Sequence, residues 1–375
     1  MKVKLGEVAR ERRDTLRGSK RGLPVVGLEH ITPSELTLTE WDVDSGNTFS
    51  KAFRKGQILF GRRRAYLKKA AVAPFDGICS GDITVIEAIP EKLLPELLPF
   101  VIQNDTFFDY AVGKSAGSLS PRVKWEHLQN FEITLPPVAE QRKLADLLWA
   151  VNTARAAYKK LLEATDELVK SQFVEMFGDP VTNEKGWEQC TVDEACRRIM
   201  GGGTPSKSNP QYYTGEIPWV TPKDMKAALI EDSIDHISEE AIKNSSVKLI
   251  PSGSVLMVIR SGILKRDLPI AINTVPVTVN QDMKAFIVGE RIAPEFLMHT
   301  FNSHKADLLR NVRAVTADNI EFGIIRNMKI NLPPLSIQNC FSDFAHQADK
   351  SKFELQRTID ELEATYKSLL RENLG

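Results

Sequence analysis

One long helical pattern occurs twice in this chain, and the duplication constrains the fold more than any other feature. The first copy opens with Ile-Thr-Leu-Pro-Pro at Ile133–Pro137 and runs to Gly178; the second opens with Ile-Asn-Leu-Pro-Pro at Ile330–Pro334 and runs to Gly375. A shift of about 197 residues places Pro137 on Pro334, Gln141 on Gln338, Ser171 on Ser368 and Gly178 on Gly375. Such a period is too long for a solenoid and reads as duplication of a whole domain-plus-helix unit.

Each copy carries a narrow apolar seam at alternating steps of three and four. In the first it runs through Leu144, Leu148, Val151, Tyr158, Leu162, Thr165 and Val169; in the second through Phe341, Ala345, Ala348, Leu355, Ile359, Leu362, Tyr366 and Leu369. Proline suits only a helix's first turn, so Pro-Pro marks each start, and Gly178-Asp179-Pro180 stops the first copy. Helices over about Val138–Phe177 and Leu335–Glu372 would each be rods of roughly 60 Å. Their seams predict that the two pack antiparallel on each other; the alternative is that each lies on its own globular domain.

With 375 residues, 42% of them hydrophobic and 26% charged, the chain is large enough for two or three globular domains. It shows no membrane-length apolar run and no signal-peptide core, so the expected compartment is the cytoplasm. The cysteines, Cys79, Cys190, Cys196 and Cys340, form no Cys-x-x-Cys pair and read as reduced core thiols with no metal. The 49 basic and 49 acidic residues balance, which argues against a generic polyanion binder but leaves room for a local basic face.

Before the first rod, short stretches read as strands: Pro24–Leu28, Gln57–Gly61, Ala70–Ala73 and Ile83–Ile86. Leu93–Asn104 reads as a helix, Gly113–Ser120 as a loop, and Val123–Leu128 as a short helix. The second unit repeats this plan with different residues. Ile217-Pro-Trp-Val echoes Leu23-Pro-Val-Val, Gly253–Val258 echoes Gly56–Gly61, Pro294–Asn302 echoes the Leu93 helix, and Val315–Ile320 falls where Leu119–Val123 fell. The rods are alike and the globular halves have diverged: either one scaffold holds two domains that recognise different things, or one domain has drifted without function.

The chain has no Gly-x-Gly-x-x-Gly, no phosphate-cradling Gly-x-x-x-x-Gly-Lys-[Ser/Thr], no His-Glu-x-x-His and no Gly-x-Ser-x-Gly. Leu135 and Leu332 precede the paired prolines and lack the side-chain oxygen that a methyltransferase Asn/Asp-Pro-Pro loop needs. The six histidines are scattered, which suits surface or capping roles.

Basic residues carry more. Arg10, Arg12, Arg13, Arg17, Lys20 and Arg21 lie near the start, and Arg62-Arg63-Arg64-Ala65-Tyr66-Leu67-Lys68-Lys69 follows a predicted strand. The matching place in the second unit is Arg260-Ser-Gly-Ile-Leu-Lys265-Arg266. Arginine reads guanine edges bidentately and either cation contacts phosphate, so two basic turns at equivalent positions point to double-stranded DNA. The loops before the rods add Ser118, Ser120 and Arg122 in the first unit, with Thr316 and Asn319 in the second. Small hydroxyls, amides and a cation there suit phosphate positioning, as they also suit a plain polar loop.

The second unit contains Gly201-Gly-Gly-Thr204-Pro-Ser206, then Tyr212-Tyr and Gly215-Glu-Ile-Pro-Trp-Val-Thr-Pro-Lys223-Asp-Met225. This resembles the opening of a target-recognition domain in the specificity subunits of type I restriction-modification enzymes, which would add Thr204, Ser206 and Lys223 to the DNA contacts. Leu-Pro-Pro followed by Gln and a long helix resembles that family's spacer region, in both copies. The likeness spans essentially all 375 residues. The first unit departs from it, with Arg17-Gly-Ser-Lys where Gly-Gly-Thr-Pro-Ser is expected.

The resemblance implies an α+β architecture: two mixed α/β target-recognition domains, 1–135 and 179–332, joined by two long antiparallel coiled-coil helices, 136–178 and 333–375, as a pseudo-two-fold internal repeat. It implies a DNA-reading subunit without catalysis or a bound cofactor of its own. Two modification subunits, carrying S-adenosylmethionine, would clasp the helices; restriction (motor-nuclease) subunits would join for cleavage; no membrane is involved. Unlike readers on like rods should select two different half-sites about one helical turn apart, with an unread gap on the order of six base pairs. Rival readings are a stand-alone methyltransferase or nuclease and a protein adaptor that reads no DNA.

Overall fold

The structure, a computed structural model, describes residues 2–43, 46–310, 312–314 and 318–375, with the backbone alone at 313 and 314. Two 40-residue helices, Val138–Phe177 and Leu335–Leu374, begin directly after the paired prolines. The chain divides into two compact units, Met1–Lys160 with Leu355–Gly375, and Leu161–Glu354, so each long helix belongs partly to each.

The repeated glutamine explains itself at the helix starts. Gln141 is 1% exposed and Gln338 is 0% exposed. Gln141 Oε1 accepts from the Leu94 amide (2.8 Å), while its Nε2 donates to the carbonyls of Lys92 and Pro136 (both 3.2 Å). Gln338 does the same with Ala293 (2.8 Å), Arg291 (3.0 Å) and Pro333 (2.7 Å). One buried amide thus fastens each helix to the segment that follows a six-residue strand of its unit, Ile83–Ala88 or Met283–Val288. At the other end, Gly178 turns the first helix with φ +75°, and Trp187 Nε1 donates to the Phe177 carbonyl (2.9 Å). The Gly375 carbonyl of the second accepts from Asn104 Nδ2 (3.1 Å) and Thr106 Oγ1 (3.2 Å).

In the first unit an antiparallel sheet runs Ala9–Arg12, Ile83–Ala88, Ile58–Gly61, Ala70–Val72. A second runs Asp42–Val43, Pro24–Val26, Gly77–Cys79, Lys51–Phe53, with the middle pair parallel. The second unit has the same order in its main sheet: Cys196–Gly201, Met283–Val288, Val255–Val258, Ile270–Asn273. It adds Leu229–Ile230 as a parallel edge strand, where the first unit has only the isolated parallel bridge Thr37–Val72. In both units a short strand before the domain pairs with one just before the Leu-Pro-Pro: Lys2–Lys4 with Glu132–Thr134, and Gln189–Thr191 with Lys329–Asn331.

The seams hold in most of their length. In the second unit Lys352 Nζ meets Asp166 (3.0 Å) and Phe341 packs edge-on against Phe173 (5.2 Å), so the helices run antiparallel there. In the first unit Leu144, Leu148 and Val151 share a core with Tyr366, Leu370 and Leu374, and Leu362 and Leu369 pack against it. Val169 and Phe341 are buried in the second unit's core, and Ile359 is buried too. Leu162 and Leu355 are only half-buried. Tyr158 is a correction: it is exposed, because Arg155, one turn earlier, turns inward and lays its guanidinium 5.2 Å over the Tyr366 ring.

Other expectations change as well. Leu93–Asn104 is not one helix. The helix there is Leu98–Ile102, with proline at its start, and a second helix, Asp105–Gly113, is capped by the Asn104 side chain on the Thr106 amide (3.1 Å). Cys340 is exposed, unlike the buried Cys79 and Cys196, whose thiols burial pushes up to about 12. His304 is a buried helix cap, while His299 is neither surface nor cap: it lies against Phe341 (4.9 Å) and Phe173 (5.9 Å).

Candidate nucleic-acid interface

In the first unit the basic turn starts where the strand Ile58–Gly61 ends. Arg64 and Lys68 both take left-handed backbone, φ +54° and +51°, and bracket the short turn Ala65–Leu67. Non-glycine residues hold that conformation only when neighbours fix it. Here the Arg64 amide donates to the Pro121 carbonyl (2.8 Å) and the Arg62 amide to Asp82 (2.9 Å). Ala65 is buried as a result, and Tyr66 and Leu67 are turned outward.

A loop closes over this turn. Ala116 and Arg122 exchange backbone bonds of 3.0 and 2.9 Å, leaving Gly117-Ser118-Leu119-Ser120-Pro121 as the tip, with Gly117 at φ +116°. Arg122 in turn forms a β-bridge with Arg63. The Arg63 guanidinium donates to Ser120 Oγ (3.0 and 3.2 Å) and stands 3.5 Å from Asp82. Arg122 donates to both Asp82 oxygens, at 2.7 and 3.3 Å. The Arg122 hydrogen bond, ahead of its charge and that of Arg63, holds the Asp82 carboxyl below the usual carboxylate range. Arg62 Nε is buried with no hydrogen-bond partner among the described residues. Lys68 pairs with Asp105 at 2.5 Å. Ser118 and Leu119 stand free at the tip, the leucine 90% exposed.

The second unit repeats the plan with other side chains. Arg260 forms a β-bridge with Asn319, which lies in the hairpin Val312–Ala314 with Asp318–Ile320. Arg260 Nε donates to Asp282 at 2.6 Å, and Lys265 stands 3.6 Å from Asp318. Arg266 is exposed, with no side-chain partner among the described residues. Thr316 lies outside the described residues.

The glycine run proves to be largely a packing device. A Cβ at Gly202 would lie 1.9 Å from the Val279 carbonyl oxygen, and the Gly203 carbonyl accepts from the Trp219 indole (3.1 Å). Thr204 is hydrogen-bonded to Gln281, next to Asp282, so the motif reaches the foot of the basic turn. Ser206 is exposed and bonded to Ser208 (2.7 Å), and Lys223 is paired with Asp235 (2.7 Å).

Two residues central to this geometry carry no signal of their own in the sequence: Asp82 and Asp282. They immediately precede the strands Ile83–Ala88 and Met283–Val288, and a side chain two residues earlier, Ser80 or Asn280, accepts the aspartate amide (3.2 and 3.1 Å). Only the comparison of Ser80-Gly-Asp82 with Asn280-Gln-Asp282 across the repeat could have found them. Among the described residues no cluster of His, Cys, Asp and Glu is arranged to hold a metal, and no helix is long and apolar enough to cross a membrane.

The family model described as "Type I restriction modification DNA specificity domain" matches residues 1–164 and again 184–364. The chain belongs to this family. Among its relatives, the type I restriction enzyme EcoR124I/EcoR124II specificity subunit of Escherichia coli is 42% identical over 141 residues, 37% of this chain and 35% of that protein. The MjaIX specificity subunit of Methanocaldococcus jannaschii is 32% identical over 122 residues, 32% of this chain and 27% of that protein. These matches thus span about a third or less of the relatives' own lengths. Among solved structures, the S subunit of a type I restriction-modification system from M. genitalium aligns with a TM-score of 0.65 at 11% identity, covering 100% of this chain and 96% of that one. A chain from a study of complex assembly and conformational transition of the type I R-M system aligns at 0.57 and 21% identity, covering 100% and 97%. Those identities show a shared fold. The two matched stretches of the specificity-domain model each contain one basic turn, its loop and its anchoring aspartate.

Proposed function

We propose that this chain is the sequence-reading subunit of a type I restriction-modification complex and recognises a bipartite, asymmetric DNA target. The observation that carries the reading is the pair of bridges: Arg63 with Arg122, and Arg260 with Asn319 about 197 residues later. One backbone arrangement is kept in both copies while the side chains it presents differ. A fixed frame with exchanged side chains is what reading two different half-sites requires. Arg62–Arg64, Tyr66, Lys68, Ser118, Ser120 and Arg122 serve one half; Thr204, Ser206, Lys223, Arg260, Lys265, Arg266, Thr316 and Asn319 serve the other.

The long helices serve as spacer and docking face. Outside its buried seam, the first helix exposes Leu147, Leu161 and Leu168, which share one heptad position with the half-buried Ala154 between the first two. That second stripe has the pattern of a coiled-coil contact left open for another helix. It supports docking of modification subunits, which would carry the S-adenosylmethionine and the methyl transfer; restriction subunits would join the same assembly. The chain itself contributes recognition and no chemistry.

The test is a domain exchange in the assembled complex. Replacing residues 1–134 by the matching domain of a relative should change one half-site and leave the other half and the gap intact. Inserting four residues, about one helical turn, after Ala164 should alter the gap and neither half-site. An exchange that rewrites both halves would falsify the two-reader assignment.

A further inference from the structure

A cleft of about 290 Å³ in the first unit shares only Lys68 with the readout elements above. Its wall is the last part of the second long helix together with Arg155 of the first, and the turn at Lys68 and Asp105 closes it. Two polar side chains lining it are more than nine-tenths buried: Arg155 and Tyr366, each 8% exposed. The Tyr366 hydroxyl has no hydrogen-bond partner among the described residues. Arg155 uses one nitrogen, Nη2, on Asn152 (3.2 Å) and makes no ion pair among the described residues. Arg371, also on the wall, is exposed and makes no ion pair among the described residues. The lysines are already matched, Lys68 by Asp105 (2.5 Å) and Lys367 by Glu363 (2.9 Å). Arg371 and the Tyr366 phenol are therefore left without an acceptor, and Arg155 keeps further N–H groups beyond the one on Asn152, with Glu363 on the same wall committed to Lys367.

The duplication supplies a comparison within the same chain. The shift of about 197 residues sets Lys352 on Arg155, Val169 on Tyr366 and Val174 on Arg371. Lys352 is neutralised by Asp166 (3.0 Å) and Asp349 (2.6 Å), and the two valines offer no donor. The rods are the similar half of the repeat, yet the free donors occur in one copy alone.

From this we propose that the cleft binds a phosphate group. Buried arginine beside a second arginine and a hydroxyl supplies several convergent donors, and a tetrahedral dianion has the oxygens and charge to use them all. The space is at the small end of ligand pockets, which run from about 300 Å³. The Tyr366 ring is already covered by Arg155 at 5.2 Å and by Phe100 at 6.1 Å, so no base stacks on it. The ligand is a phosphate with little attached, either free or one phosphate of a DNA backbone. The site does not depend on which bases the basic turns read.

The test uses the full chain and inorganic phosphate, against sodium chloride at matched ionic strength. Phosphate should raise the melting temperature saturably and broaden its own ³¹P resonance. Phosphate also stabilises proteins generally by exclusion from their surface, so the diagnostic part is what variants remove. Arg371→Gln, at an exposed position, should weaken binding about tenfold or more, and Tyr366→Phe several-fold. A duplex then separates the sources. Competition between phosphate and DNA, with a salt slope about one unit smaller in Arg371→Gln, assigns the site to the DNA backbone; unchanged DNA affinity assigns it to free phosphate. Equal phosphate responses in wild type, Arg371→Gln and Tyr366→Phe, or no saturable response at all, overturn the proposal. Failure here leaves the domain exchange untouched, because no residue of the cleft walls other than Lys68 is assigned to base reading.

Discussion

Arg122 donates to both carboxylate oxygens of Asp82, at 2.7 and 3.3 Å, across 40 residues of sequence. The same carboxylate stands 3.5 Å from Arg63. One aspartate therefore holds the first unit's turn and loop in register, and Asp282 holds Arg260 in the second.

This anchoring has a testable consequence for discrimination. Asp82→Asn keeps the size of the side chain and removes the charge. The freed arginines should raise binding to unrelated duplexes, while their loss of fixed orientation lowers the preference for the cognate half-site by about ten- to a hundredfold. Affinity measured on cognate and scrambled duplexes at one salt concentration gives the ratio; an unchanged ratio contradicts the anchoring role.

The helix starts predict a large effect from one buried amide. Gln141→Leu would leave the Leu94 amide and the Lys92 and Pro136 carbonyls without their partner. Orphaned buried groups of this kind cost about 2–4 kcal/mol together. For a unit of this size that lowers the melting temperature by on the order of 10 °C. Gln338→Leu should act alike in the second unit, and wild-type melting in either variant would show that the amide is dispensable.

Seam positions should separate by burial. Ile359 is 4% exposed, so Ile359→Asp should cost several kcal/mol. Leu162 is half-buried and Leu162→Asp should cost less. Tyr158→Ala, at an exposed position, should stay within about 0.5 kcal/mol. Denaturant melts of the three rank them; a large loss for Tyr158→Ala would restore that residue to the seam.

Burial of His299 lowers its pKa from 6.5 to about 4. Above pH 6.5 the folded and unfolded chains are both neutral there and the residue adds no pH dependence. As pH falls from 6.5 towards 4, the unfolded chain takes up a proton that the folded chain refuses. Stability should then drop by up to about 1.4 kcal/mol per pH unit. His299→Gln should flatten that part of the profile, and an identical slope in the variant would mean that other groups cause it.

Much of this was legible in the residues. Pro-Pro, the heptads and the terminal glycines mark the rods because helix starts, stops and faces are local properties. The short sheet strands were legible for the same reason. What pairs with what was not: Arg63 meets Arg122, and Gln141 meets Leu94, across stretches whose path no local pattern reveals. Tyr158 and Arg155 exchanged roles because a guanidinium can be buried when an aromatic face receives it, which a hydrophobic pattern does not register. The break near Leu98 was readable from its prolines and the Asn104 cap, and the apolar run Leu93–Ile102 concealed it.

The central claim is that two unlike domains on like helices read two unlike half-sites. Selection of random duplexes by the chain, assembled with the modification subunits proposed for it, measures this directly. The account predicts two short blocks of defined sequence, different from each other and not palindromic, with centres about one helical turn apart and an uninformative gap on the order of six base pairs between them. A continuous target, a palindrome, or no enriched sequence would contradict it.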